Sequence, residues 1–186
     1  LDMRKQPLPI VPVAHYFCGG ILVDLNGRTT LDRLYAVGEC SCTGIPGANR
    51  LASTSLLEAL LWGISAGRDI GERLCAERLD ARIYEEIPDW THTGDDQNDD
   101  PALIAQDWAT IRHIMWNYVG ILRSQSRLHR AFADLRDLSS RLHDFYKHTP
   151  LSQRLVHLFH GCQTAYLITQ SALRNKQSLG CHYRRG

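Results

Sequence analysis

Residues 34–56 impose a strand, a tight loop and a helix in that order. Leu34-Tyr35-Ala36-Val37 is nearly all apolar, as a buried strand should be. Gly38-Glu39 follows at once, then a loop punctuated by Gly44, Pro46 and Gly47 that ends in Ala48-Asn49-Arg50. From Ser53 to about Arg73 the pattern is helical, with Leu56, Leu57, Leu60, Leu61 and Ile64 as an apolar stripe. Ser53, with Ser55 close behind, is placed to cap the first turn. A carboxylate at a strand end and an arginine just before a helix let donors converge on an anionic ligand at the helix N-terminus.

Upstream, residues 1–14 carry Pro7, Pro9 and Pro12 and read as an extended segment. Ile21-Leu22-Val23-Asp24 reads as a second short strand, joined to residues 34–37 through an Asn26-Gly27 turn. Gly63, Gly67 and Gly71 recur every four residues, which fits tight packing of one side of the helix against a strand or helix. Residues 85–101 form a polar, acidic connection, most simply a solvated linker. Its end starts a helix: Asp99 or Asp100 caps, and Pro101 suits the first helical position.

Three helix-period segments follow. Residues 102–122 place Ile104, Trp108, Ile111, Met115, Tyr118 and Val119 on one side. Residues 125–147 carry Leu128, Phe132, Leu135, Leu138, Leu142 and Phe145. Residues 151–175 carry Leu155, Leu158, Phe159, Cys162, Ala165, Tyr166 and Leu173. Short connections favour antiparallel neighbours, hence a three-helix bundle. The expected division is residues 1–75, an acidic linker over 76–100, the bundle over 101–178, and a tail over 179–186.

Composition narrows the function classes. A hydrophobic fraction of 44% with 22% charge is that of an ordinary globular protein. A net charge of +1 gives bulk electrostatics no grip on nucleic acid or a membrane surface. No apolar run approaches a membrane-spanning length, and no apolar signal region follows Leu1-Asp2-Met3-Arg4-Lys5, so a cytoplasmic location is expected. Six scattered cysteines without a CxxC read as free thiols. His143 with His148, and His157 with His160, lack a carboxylate or thiol cluster to complete a metal site, so none is expected.

Three sets of residues carry chemistry. In His15-Tyr16-Phe17-Cys18-Gly19-Gly20, a histidine stands beside glycines that let backbone pass close to a ligand. Glu39, just past the strand, suits ligand hydroxyls at the open end of an α/β sheet. Arg50 offers a planar charged fork matched to a carboxylate, and the N–H groups of Ser55 and Leu56 stand in the first turn of the next helix. Each also has a plainer reading: a structural histidine, a helix-capping glutamate, a solvated arginine.

Taken together, in this order and spacing, the three sets resemble the succinate dehydrogenase, fumarate reductase and L-aspartate oxidase family of flavoproteins. His-Tyr-x-Cys-Gly-Gly is similar to the L-aspartate oxidase branch, since the dehydrogenases and reductases usually carry methionine before the glycines. Arg28-Thr29, the run 34–39, the run 47–53, Asp107-Trp108 and the run 114–121 fit the same family. The resemblance implies an α/β remnant of an FAD-binding domain (short strands plus a helix) followed by an all-α three-helix bundle. It implies FAD as cofactor, with Glu39 on the ribityl chain and Ser55 and Leu56 at the flavin end. His15 and Arg50 would bind the carboxylates of a dicarboxylic substrate. The implied reaction is oxidation of L-aspartate to iminoaspartate with oxygen or fumarate as acceptor, feeding quinolinate synthesis, with quinolinate synthase as a functional partner.

Departures from the pattern are Pro46 for a usual histidine, Thr54 for asparagine and Leu179 for arginine. No G-x-G-x-x-G opens a βαβ unit, so N-terminal FAD-binding and capping domains are expected to lie outside this chain, leaving it inactive alone. A succinate dehydrogenase or fumarate reductase fragment, and a non-enzymatic helical interaction module, are the alternatives.

Overall fold

The computed structural model describes residues 2–11, 14–76, 82–89 and 100–185. The chain divides into two compact units, Leu1–Ala81 and Arg82–Gly186. Residues 90–99, which hold most of the acidic stretch and the candidate cap Asp99, lie outside the described residues, as do Leu1 and Pro12.

In the first unit, β1 (Ile21–Leu22) pairs in parallel with β2 (Ser41–Cys42). Residues 34–37, expected to be a strand beside β1, are used otherwise. They fold back antiparallel on residues 27–29: Thr29 N donates to Leu34 O at 2.9 Å and Ala36 N to Gly27 O at 3.0 Å. The cause is local. The Asp24 carboxylate accepts from Asn26 N at 2.8 Å and Arg28 N at 2.9 Å, and Gly27 adopts φ 76°. That turn reverses the chain early, so the backbone of 34–36 is already paired and β1 takes the next free segment. Between them stands one 3-10 turn, Gly38–Cys40.

Helix α1 (Thr54–Ala76) packs on that turn with the face opposite to the one its leucines predict. Leu56, Leu57, Leu60, Leu61 and Ile64 are exposed, while Ser55, Glu58, Trp62, Ala66 and Asp69 are buried. Both stripes have helical spacing; specific bonds select the second. Trp62 Nε1 donates to Asp24 O at 2.9 Å. Arg28 Nε donates to Asp69 Oδ2 at 2.7 Å, and its Nη2 and the Tyr35 hydroxyl reach the same carboxylate. Arg73 Nη2 adds a bond of 3.0 Å to Asp32. The expected packing through Gly63, Gly67 and Gly71 is not found: among the described residues nothing lies within 4 Å of a Cβ built there.

The second unit begins with the single turn α2 (Arg82–Glu85). Then come α3 (Pro101–Tyr118), α4 (Gln125–His148) and α5 (Gln153–Arg174), each packed on the other two. Each starts on a side-chain cap: Asp100 accepts from Ala102 N at 2.8 Å, Ser124 from Arg127 N at 3.3 Å, Ser152 from Leu155 N at 3.2 Å. Leu128, Leu135, Leu138, Leu142, Leu155 and Leu158 are at most 1% exposed. Burying each such side chain is worth about 1.5–3 kcal/mol, which makes this the main apolar core. Burial also pushes the Cys162 thiol up to about 11. None of the six cysteines is disulfide-bonded. Within the segment expected as a tail, β4 (Tyr183–Arg185) pairs in parallel with β3 (Leu122–Ser124).

Two tests follow from this packing. A Cβ on Gly161 of α5 would stand 2.5 Å from the Trp108 ring of α3, whereas one on Gly67 meets nothing. Gly161→Val should cost about 2 kcal/mol of stability through overpacking, and Gly67→Ala should add about 1 kcal/mol through helix propensity; opposite shifts of the urea midpoint check both. Separately, Arg28 and then Tyr35 hold the Asp69 carboxyl at about 2, below its ordinary 3.8. A depressed folded-state value means this stabilisation is present above about pH 4 and lost as pH falls toward about 2. Asp69→Asn should flatten that acid limb in a thermal-unfolding series.

Candidate functional site

The site is built where two loops of the first unit meet the start of α1. The first is the loop over residues 14–20. Gly19 and Gly20 take φ 133° and 124°, and a Cβ on Gly20 would overlap the Cys40 carbonyl oxygen. Only glycine allows that approach. Glu39, on the 3-10 turn, clamps the loop from the other side: its Oε1 accepts from Phe17 N at 2.9 Å. Ser41, 4% exposed, closes the turn by donating to Gly38 O at 2.8 Å.

The second stretch is the loop over residues 43–53. Gly44, Gly47 and, without the excuse of glycine, Ser53 have positive φ, the last 69°. A serine in that conformation is uncommon and is held by its surroundings. Thr54 keeps the loop end tight by donating its hydroxyl to Leu51 O at 2.7 Å. Ser53 does not cap α1. Among the described residues no side chain accepts from the N–H groups of Ser55 or Leu56, and the first turn carries no acidic residue. The helix therefore presents free donors and its positive end.

Arg50 joins the stretches. Its guanidinium carbon lies 4.7 Å from the centre of the Tyr16 ring, and its Nη1 donates to Ser55 Oγ at 2.9 Å. A stacked cation of this kind is worth about 0.5–2 kcal/mol, and the stacking fixes the plane of the fork. The Tyr16 phenol is pushed up by burial first, then by the charges of Glu58 and Glu39, while Arg50 pulls it down. The expected residues are thus only partly gathered. Arg50 and Ser55 touch, and Glu39 faces the Tyr16 loop. Leu56 stands at the helix end with its side chain 75% exposed. His15 is exposed beside Tyr16 and makes no side-chain hydrogen bond among the described residues.

Sequence reasoning missed Tyr16, Thr43 and Glu58 as site residues. Thr43 donates its hydroxyl to Glu58 Oε1, and Glu58 is 5% exposed. The available signal was Glu58 itself, a lone carboxylate inside Leu56-Leu57-Glu58-Ala59-Leu60-Leu61. No group of three or more metal-ligating side chains occurs among the described residues. No described helix is long and apolar enough to cross a membrane.

A family model described as an FAD binding domain matches residues 1–56, and one described as the fumarate reductase flavoprotein C-terminus matches residues 108–186. L-Aspartate oxidase of Yersinia pestis is 44% identical over 98% of this chain, which covers 34% of that protein. That of Pseudomonas aeruginosa is 41% identical over 98% of this chain and 33% of its own length. A chain of E. coli quinol fumarate reductase superposes over all of this chain with a TM-score of 0.78 at 29% identity, and 34% of it is covered. The chain thus spans about a third of the length of the relatives it matches. Both family models lie in order along it and nearly all of it aligns to L-aspartate oxidases, so the chain is similar along its length to a part of the fumarate reductase and L-aspartate oxidase flavoproteins that includes their C-terminal region.

Proposed function

We propose that the full-length protein carrying this segment is an FAD-dependent L-aspartate oxidase, converting L-aspartate to iminoaspartate. The observation that carries this reading is the meeting of Arg50, the Tyr16 loop and the open first turn of α1, in a chain 44% identical to such an oxidase. FAD, when bound, supplies the acceptor for the hydride leaving the substrate, and oxygen or fumarate reoxidises it.

The residues fit that group. The N–H donors of Ser55 and Leu56, without acceptors among the described residues, suit an electron-rich ring edge, where a helix N-terminus stabilises added negative charge. Glu39 spends one oxygen on Phe17 N and keeps the other for a ligand hydroxyl. Arg50, braced by Tyr16 and Ser55, holds one substrate carboxylate through its remaining donors, and exposed His15 holds the second. Orientation is the main contribution of these side chains: a dicarboxylate held at both ends presents its Cα in one pose. The three long helices are read as the family's three-helix bundle. The protein is placed in the cytoplasm, away from the membrane, with quinolinate synthase taking up the product. The missing N-terminal FAD-binding and capping domains complete the active site.

Two measurements test this. The isolated chain, mixed with FAD and desalted, should be colourless and give no aspartate-dependent peroxide. The full-length protein should bleach its flavin with L-aspartate, and Arg50→Lys should lower kcat/KM about 10²-fold, since an ammonium cannot replace a stacked bidentate fork. Oxidation of succinate instead of aspartate would move the assignment to the dehydrogenase branch, which the fumarate reductase likeness at 29% identity favours less.

A further inference from the structure

The inward face of α1 holds a carboxylate that the reading above leaves unused. Glu58 is 5% exposed. Its Oε1 accepts from the Thr43 hydroxyl, while its Oε2 is buried and has no partner among the described residues. An orphaned buried acceptor is costly, more so when charged, so such an oxygen calls for a donor.

Two walls of the site are tied to the helix face that carries this side chain. On one side, Thr43 anchors the loop that ends at Arg50; its hydroxyl also accepts from Ile45 N at 3.2 Å. On the other stands Tyr16, whose ring supports the Arg50 guanidinium. The Tyr16 hydroxyl makes no hydrogen bond among the described residues, and the Glu58 charge bears on it more than any other does. Tyr16 and Glu58 thus hold an unspent donor and an unspent acceptor, and Arg50, which touches both the Tyr16 ring and Ser55, connects them. Ser55, which receives the Arg50 hydrogen bond, lies one turn before Glu58 on the same face of α1.

We propose that Glu58 is a positioning residue for the ligand-binding loops: its Oε2 accepts from the Tyr16 hydroxyl when a bound dicarboxylate draws Arg50 and its stacked ring inward. One carboxylate then ties both loops to the helix whose first turn meets the flavin. Glu58 touches neither substrate nor cofactor; it acts through Thr43 and Tyr16. The proposal rests on the function assigned above.

The test is a double-mutant cycle in the full-length protein carrying this segment, with KM and kcat for L-aspartate and bound FAD measured together. Glu58→Gln and Tyr16→Phe should each raise KM about tenfold, with kcat within twofold and FAD content unchanged. The double variant should be no worse than either single one. Additive effects, an unchanged KM, or loss of FAD as the sole effect would overturn the proposal. If Glu58→Gln folds poorly, Glu58→Asp, which keeps the charge and shortens its reach, takes its place with the same expectation. A wild type that ignores aspartate but binds fumarate defeats the assigned function alone. The cycle is then read from fumarate Kd by flavin absorbance, where coupled shifts support the proposal and additive or absent shifts overturn it. A wild type that binds neither overturns both.

Discussion

Helix α1 is fastened by polar groups. Arg28 and Tyr35 hold Asp69, Asp24 holds Trp62, Thr43 holds Glu58, and Arg50 holds Ser55, so each turn of the inner face is tied to a different stretch of loop. Apart from α1, the first unit has little regular structure beyond two-residue strands and one 3-10 turn. Without those ties its loops would have no common frame. Charge-assisted bonds of this kind are directional, which apolar packing is not, and they set the register of each loop along the helix. The site inherits its geometry from that fastening.

The second unit is organised on a different principle. Its helices begin on serine or aspartate caps and share a leucine core, and its polar contacts are mainly local. Here periodicity decides most of the structure: the helices and their core residues follow from the sequence, as does the Asp100 cap, while the Ser124 and Ser152 caps went unread. The predicted end of α3 runs a few residues long because the chain leaves the helix at Tyr118 and forms β3, which pairs with residues 61 positions away. Pairing with so remote a segment leaves no local trace in hydropathy.

The first unit was less legible for the same reason in reverse. The run 34–37 has the composition of a buried strand, yet the Asp24 turn commits it to residues 27–29. On α1 two stripes share one period. Hydropathy selects the leucines, while bonding partners, invisible in one dimension, select Ser55, Glu58, Trp62 and Asp69. Arg50 and Ser55 were visible as candidate residues because loop chemistry and helix position announce them, and they touch. Tyr16 and Thr43 join this region only through Arg50 and Glu58, and nothing in the spacing between positions 16, 43, 50 and 58 hints at that.

The outward leucines of α1 give this segment a colloidal character at odds with its modest net charge of +1. Leu56, Leu57, Leu60, Leu61 and Ile64 are all exposed along one side of α1 and form an apolar strip on the surface of the unit. Handling of this portion by itself is therefore governed by surface wetting rather than by the strength of its fold. Salts that strengthen apolar association will drive it out of solution, and mild nonionic detergent will keep it dispersed without loosening the ion pairs that hold α1 in place.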